Sequence, residues 1–144
     1  MSTLVYGETD RLMEWAGPRN DAGVIPADTV AIGVEDDQGN IMAVVYYNHF
    51  TTYNCSMHVV SSGAGRWLTR GFLAAVFAYP FVQLKLNRVT AYVRSRNERA
   101  LRLDTGIGFR FEGRMVRAAG DDDLIVLGML RENCTWIPEE HRHG

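Results

Sequence analysis

Three consecutive segments between Arg88 and Arg114 leave this chain few architectures to choose from. Arg88-Val89-Thr90-Ala91-Tyr92-Val93 alternates in polarity as a half-buried strand does. Asn97 then stands where a helix would begin, a position Asn favours because its side chain can accept from the free amides of the first turn. Ala100, Leu103 and Ile107 follow at helical spacing, and Gly108 stops the helix. Phe109 and Phe111 alternate with Arg110 and Glu112, so a second strand starts at once. Strand, helix and strand joined this closely require a sheet with a helix laid across it.

The rest of the chain extends that pattern. Thr9 to Ala16 reads as a short helix capped by Thr9, with Asp10 in its first turn, and Gly17-Pro18 ends it. After Pro26-Ala27-Asp28 comes a strand, Thr29 to Glu35; the turn formers Asp36-Asp37-Gln38-Gly39-Asn40 return the chain as Ile41 to Phe50. Tyr53 to Val60 is a third strand, with Met57 and Val59 on one face and Ser56, His58 and Val60 on the other. Ser61-Ser62-Gly63-Ala64-Gly65-Arg66 breaks the alternation. Trp67 to about Tyr79 then steps at helical spacing through Leu68, Phe72 and Val76. Pro80, which has no amide to donate, should end or kink that helix. Gly120-Asp121-Asp122-Asp123 reads as a solvated hairpin turn before a last strand, Leu124 to Leu130, and not as a metal site.

A chain of 144 residues suits one domain that buries roughly 70% of its unfolded surface. A net charge of −2 gives no electrostatic case for nucleic acid or an anionic membrane. No apolar run approaches the ~18 residues that span a bilayer, and Met1 to Tyr6 lacks the basic and apolar regions of a signal peptide. The expected location is cytoplasmic. In that compartment Asn54-Cys55-Ser56 and Asn133-Cys134-Thr135 are not glycosylated, and the 2 cysteines are buried free thiols.

The order of strand, Asn-initiated helix and Gly-Phe strand resembles the second half of the GNAT acetyltransferase superfamily. Asn97, Ala100, Leu103, Ile107, Gly108 and Phe109 all fall at that family's spacing, and the best match runs from about Thr29 to Trp136. The resemblance implies an α/β (mixed α+β) GNAT fold: a mostly antiparallel mixed sheet of about six to seven strands, helices on both faces, and a cofactor cleft between the two central strands. It spans residues 1–137 as a single domain, with 138–144 as a frayed tail. Tyr79-Pro80-Phe81-Val82-Gln83-Leu84 is similar to the helix end of the ribosomal-protein alanine acetyltransferases. Trp67-Leu68-Thr69-Arg70, Tyr79-Pro80-Phe81 and Cys134-Thr135-Trp136 resemble runs in short phage-encoded GNAT proteins.

What the resemblance implies chemically is transfer of an acetyl group from acetyl coenzyme A to an amine. In the family, the strand matching Tyr53–Val60 hydrogen-bonds the pantetheine arm through its backbone, and the following loop and helix hold the pyrophosphate. Here those positions are Val59 and Val60, then Gly63, Gly65, Arg66, Trp67, Leu68 and Thr69, with Asn97 also near the pantetheine arm. The physics is general: the first amides of a helix lack internal acceptors and carry the positive end of its dipole. The family's glycine motif fits in two frames. In one, Gly63 and Gly65 match and Val60 replaces a polar residue; in the other, Gly65 is the first glycine and Trp67 replaces the second. Arg66 and Arg70 stand close enough in sequence to pair with phosphates.

Attack of a neutral amine on a thioester needs a base or water for the amine proton. It also needs a donor for the carbonyl oxygen, here an amide near Val59–Val60, and a proton for the thiolate. Many family members supply the last from a Tyr seven residues after the Asn; this chain has Asp104, which when ionised cannot donate. His58, on the cofactor strand, is a candidate base, as is Asp104 if its pKa is elevated; His49 is a weaker one. The N-terminal helix and the loop Gly17–Ala27 would shape the acceptor site. Two readings stay open: an N-acetyltransferase acting on an amine of a protein or small molecule, and a GNAT-fold protein that has lost turnover and binds a protein partner. A homodimer is compatible with either.

Overall fold

The structure, a computed structural model, describes residues 2–20, 24–63 and 66–143. The elements are β1 (Thr3–Val5), α1 (Thr9–Arg19), β2 (Val30–Glu35), β3 (Ile41–Asn48), β4 (Asn54–Ser61), α2 (Arg70–Ala78), β5 (Arg88–Arg94), α3 (Glu98–Ile107), β6 (Arg110–Ala119) and β7 (Asp122–Leu130). Among the described residues seven strands form one sheet in the order β1-β2-β3-β4-β5-β7-β6. Every neighbouring pair is antiparallel except β4 and β5, which run parallel. This is the mixed, mostly antiparallel sheet expected of a GNAT fold.

Helices cover both faces. On one, Leu12 and Ala16 of α1 pack with Val5, Ala31, Val44, Tyr46 and Val60. Gly33 lies beneath α1, where a Cβ would come within 2.6 Å of a Leu12 methyl, so a larger residue would force that buried side chain to shift. On the other face α2 and α3 pack over Val45, Tyr47, Met57, Val89 and Leu127. Among the described residues no helix is long and apolar enough to cross a membrane.

The structure departs from sequence expectation at several ends. β1 is only three residues long, too short to show periodicity. α1 runs on through Gly17 and Pro18 to Arg19, since a proline in the last turn forfeits a single hydrogen bond. Thr9 is not its cap: Thr9 Oγ1 accepts from the Ala31 amide at 3.2 Å and ties the helix to β2. α2 starts at Arg70, later than Trp67, because Thr69 Oγ1 caps it by accepting from the Phe72 amide at 3.1 Å.

Pro80 ends the regular helix at Ala78, as expected, but not the chain's helical course. It sits in a wider turn, Tyr79–Gln83, in which the Leu84 amide reaches back to the Tyr79 carbonyl at 3.1 Å. In a regular helix the amide at position 80 would serve the Val76 carbonyl, and proline has none. The buried Tyr47 hydroxyl takes its place, donating to that carbonyl at 2.6 Å.

The Asp run ends a hairpin whose turn is Gly120–Asp121. Asp122 accepts from Ser95 and from the Arg96 amide, and Asp123 accepts from Arg114 and the Arg117 amide, so both carboxyls are held below their usual range. Two of the three aspartates therefore tie the hairpin down and are not solvated turn residues. Cys55 and Cys134 are both buried free thiols. Beyond β7, Trp136 Nε1 donates to the Ile107 carbonyl at 2.8 Å and fastens the C-terminal segment to the end of α3. Residues Glu139–His141 form a single tight helical turn.

Candidate active site

The parallel pairing of β4 with β5 is short: Asn54 with Arg88, Cys55 with Val89 and Ser56 with Thr90. Past Ser56 the strands separate, although β4 stays paired with β3 as far as Ser61. The β4 backbone groups pointing towards β5 beyond that point have no ladder partner, which is where another extended amide-bearing chain can bind. The gap opens into a cleft of ≈ 760 Å³.

Of the residues singled out in the sequence, His58, Val59, Asn97 and Asp104 come together on the wall of this cleft. Alternation along β4 puts them on opposite sides of the sheet. His58 is registered with Tyr46 on the α1 face, whereas Val59 packs into the core beneath α2 and α3. The cleft thus passes through the sheet, from an α1 side to an α3 side.

On the α1 side the His58 ring stacks on Tyr46 with centroids 4.5 Å apart. Its Nε2 lies 3.2 Å from Asn48 Oδ1. An amide oxygen only accepts, so the ring proton sits on Nε2 and Nδ1 keeps its lone pair. Asn48 is itself held through Thr29 Oγ1 at 3.4 Å, and Thr29 donates to the Pro26 carbonyl at 2.6 Å. Burial, and secondarily the charge of His49, push the imidazole down to about 4. His58 is therefore neutral at neutral pH. Tyr46 also hydrogen-bonds Asn20 at the end of α1, so that helix is latched to the same wall.

On the α3 side Asp104 is 8% exposed, and burial pushes its carboxyl up to about 6. It borders both the cleft and a small apolar cavity of ≈ 10 Å³ lined by Val59, Trp67, Leu68 and Phe72. Asn97 caps α3, its Oδ1 accepting from the Ala100 amide at 3.1 Å, while lining the cleft mouth.

Of the remaining sequence candidates, His49 also lines the cleft, at φ 53°, and the other described ones lie off the cleft wall proper. Val60 is buried against α1, so only its backbone is available to a ligand. Gly63 is exposed and adopts φ +81°, a conformation that suits glycine. Gly65 falls outside the described residues. Arg66 and Leu68 are exposed, and Trp67 packs edge-on against Phe72 at 6.1 Å. Thr69 is engaged at both ends, capping Phe72 and donating its own amide to the Trp67 carbonyl at 3.0 Å. The amides that α2 leaves open for a phosphate are those of Arg70 and Gly71. Arg70 also lies 5.9 Å from the Trp136 ring centre. Sequence reasoning missed Asn48, Tyr46 and Asn20; the signal was a polar Asn closing the apolar run Ile41–Tyr47.

Among the described residues no group of three His, Cys, Asp or Glu side chains stands where it could hold a metal ion. The donors that border the cleft are the β4 amides beyond Ser56, the side chains of Asn20, Asn48 and Asn97, and Arg19 and Arg94.

With its mixed sheet, a central parallel pair that splays open and helices on both faces, this chain has the GNAT fold. The particular structures it is similar to include the spermidine/spermine N-acetyltransferase SpeG from Vibrio cholerae in complex with manganese ions. The TM-score is 0.73 and the identity 18%, over 90% of this chain and 92% of that one. The dodecameric spermidine N-acetyltransferase from the same organism, in an intermediate state, superimposes with a TM-score of 0.71 at 18% identity, covering 90% and 93%. No protein-family model and no curated protein sequence matches the chain.

Proposed function

We propose that the protein is an N-acetyltransferase that transfers the acetyl group of acetyl coenzyme A to a primary amine. The observation that carries this reading is the separation of β4 from β5 beyond Ser56 and Thr90, which opens a cleft with His58 on one side and Asp104 on the other. Bound there, acetyl coenzyme A supplies the acetyl group as a thioester; the new bond joins nitrogen to the acetyl carbon as the carbon–sulfur bond breaks. The unpaired β4 backbone from Met57 to Val60 holds the pantetheine arm and offers an amide to the thioester oxygen. Gly63, Arg66 and the amides opening α2 hold the pyrophosphate. Asn97 closes the far side of the arm.

His58 takes the amine proton at Nδ1, directly or through water, while Asn48 fixes the ring. A base with a pKa near 4 is a weak one, which places its contribution at the low end of the usual 10²- to 10⁴-fold. Asp104 is mainly ionised at neutral pH, so the thiolate takes its proton from water. A kinship with the ribosomal-protein alanine acetyltransferases or with phage proteins rests on the sequence runs at 67–70, 79–84 and 134–136.

The test is thermal melting with increasing acetyl coenzyme A, followed by thiol release with a panel of amines. Stabilisation should grow with the logarithm of ligand concentration above the dissociation constant. Replacing Gly65 by valine should remove it while the protein still folds. One observation favours a second reading, a partner-binding protein without turnover: a carboxyl occupies the position where the family carries its proton-donating Tyr. Stabilisation by the cofactor without thiol release from any amine would select that reading.

A further inference from the structure

The hydrogen bonds behind His58 have a direction, and a backbone carbonyl fixes it. The chain turns at 26–29, where the Pro26 carbonyl receives both the Thr29 amide at 3.1 Å and the Thr29 hydroxyl at 2.6 Å. A carbonyl only accepts, so the hydroxyl proton lies on the Pro26 side. In the longer contact of 3.4 Å Thr29 Oγ1 is then the acceptor and Asn48 Nδ2 the donor. With its NH2 turned to Thr29, the Asn48 amide turns its oxygen to His58, and the ring nitrogen 3.2 Å away has to donate. The reversed amide would set Asn48 Oδ1 against a Thr29 oxygen whose proton is already committed. Asn48 is 2% exposed, so water does not compensate that mismatch.

The turn is pinned from its other side as well: Asp28 accepts from the Phe50 amide at 3.1 Å, just beyond Asn48, which keeps Thr29 within reach of the end of β3. Pro26 itself lines the cleft beside Val24 and Ile25, so the series of bonds starts at the cleft rim and ends at the imidazole. We propose that Thr29 is a positioning residue for the reaction: by giving its proton to the Pro26 carbonyl it orients the Asn48 amide, which keeps the His58 proton on Nε2 and leaves Nδ1 to take the proton of the amine. This rests on the acetyltransferase reading, since only there does the tautomer have a use. The tautomer of a neutral histidine is set by the partner of its other nitrogen, and here that partner is itself set from the turn.

The experiment reads the ring first and turnover second. NMR correlation of ring protons with ring nitrogens, on labelled protein at neutral pH without ligand, should show His58 protonated at Nε2 and bare at Nδ1, with His58→Gln identifying the signals. Thr29→Val keeps the shape of the side chain and frees the Asn48 amide to reverse. It should raise the share of the Nδ1-protonated tautomer and lower kcat about fivefold, with the stabilisation by acetyl coenzyme A unchanged. Thr29→Ser keeps a hydroxyl and should restore both tautomer and kcat, which a packing role for Thr29 would not require. Thr29→Ala gives the same comparison if Thr29→Val does not fold. A wild-type ring protonated at Nδ1, a tautomer unmoved in the Thr29 variant, or a shifted tautomer with unchanged kcat overturns the inference and leaves the acetyltransferase reading standing. No thiol release from any amine, with the tautomers as expected, overturns that reading and the role of Thr29 with it.

Discussion

The two walls of the cleft each bury a titratable side chain, and they do so in opposite company. His58 lies against a polar wall: its ring is stacked on Tyr46, its Nε2 is held by Asn48, and Asn48 is in turn held by Thr29. Asp104 lies against an apolar wall of Val59, Leu68 and Phe72, and among the described residues nothing donates to its carboxyl. Burial favours the neutral form of each, down to about 4 for the imidazole and up to about 6 for the carboxyl. The outcomes for chemistry differ. A neutral imidazole with its Nε2 proton committed keeps a lone pair for a substrate proton, whereas a carboxyl gains something to donate only below pH about 6. At neutral pH both groups are in their proton-accepting form, and the proposed role of His58 rests on which wall the amine meets.

The sharpest way to break this contrast is to remove the imidazole. His58→Gln should lower kcat about a hundredfold, with the stabilisation by acetyl coenzyme A unchanged. The wild-type acid limb of kcat should fall near pH 4, well below the 6.5 of an ordinary histidine. An acid limb near 6.5, or a loss under threefold in His58→Gln, would hand the proton to water.

Asp104→Asn should be milder, with turnover within about tenfold of wild type at pH 7.5, below what a true general acid contributes. A thousandfold loss with unchanged cofactor affinity would make the carboxyl catalytic. The variant should speak more clearly through stability. Between pH 4 and 6.5 the unfolded chain protonates at His58 and the folded chain does not, so this group removes stability as pH falls. Between pH 3.8 and 6 the folded chain holds a proton on Asp104 that the unfolded chain has lost, so this group removes stability as pH rises. Each shift is worth on the order of 3 kcal/mol, and in the wild type they largely cancel. Asp104→Asn should uncover the histidine: urea midpoints should decline from pH 7 to pH 4.5 by the equivalent of about 2–3 kcal/mol. A flat profile in the variant would mean that one of the two groups is more solvated than its burial indicates.

The two walls were also unequally legible in the sequence. Local spacing showed α3, its Asn97 cap and the turn at Gly108, because capping and helical periodicity act within a few residues. It also showed which face of β4 carries His58. It could not show that His58 meets Tyr46 and Asn48, since that depends on the antiparallel register of β3 with β4. Nor could it show that Asp104 is buried among residues from β4, the loop and α2, contacts that exist only once α3 is packed. Thr69 displaced Trp67 as the start of α2 because one hydroxyl-to-amide bond outweighed an unbroken apolar stripe. Pro80 was expected to interrupt the helix, and the rescue of Val76 by Tyr47 comes from a strand 29 residues away in sequence.

The smallest expected effect tests whether the α3 wall does more than hold the fold. Asn97 Oδ1 accepts from the Ala100 amide, one of the four that every helix start leaves open, while the same residue borders the cleft. Asn97→Ala should cost about 1 kcal/mol of stability for the lost cap, read as a lower urea midpoint with unchanged slope. Asn97→Asp keeps an accepting oxygen and suits the positive end of the helix dipole, so it should restore most of that loss. An ionised oxygen facing the cleft is a different matter for a phosphate-bearing arm, and Asn97→Asp should not restore cofactor affinity even as it restores the fold. If both variants bind acetyl coenzyme A as wild type does, Asn97 is a cap alone, and the cofactor is held from β4 and the start of α2.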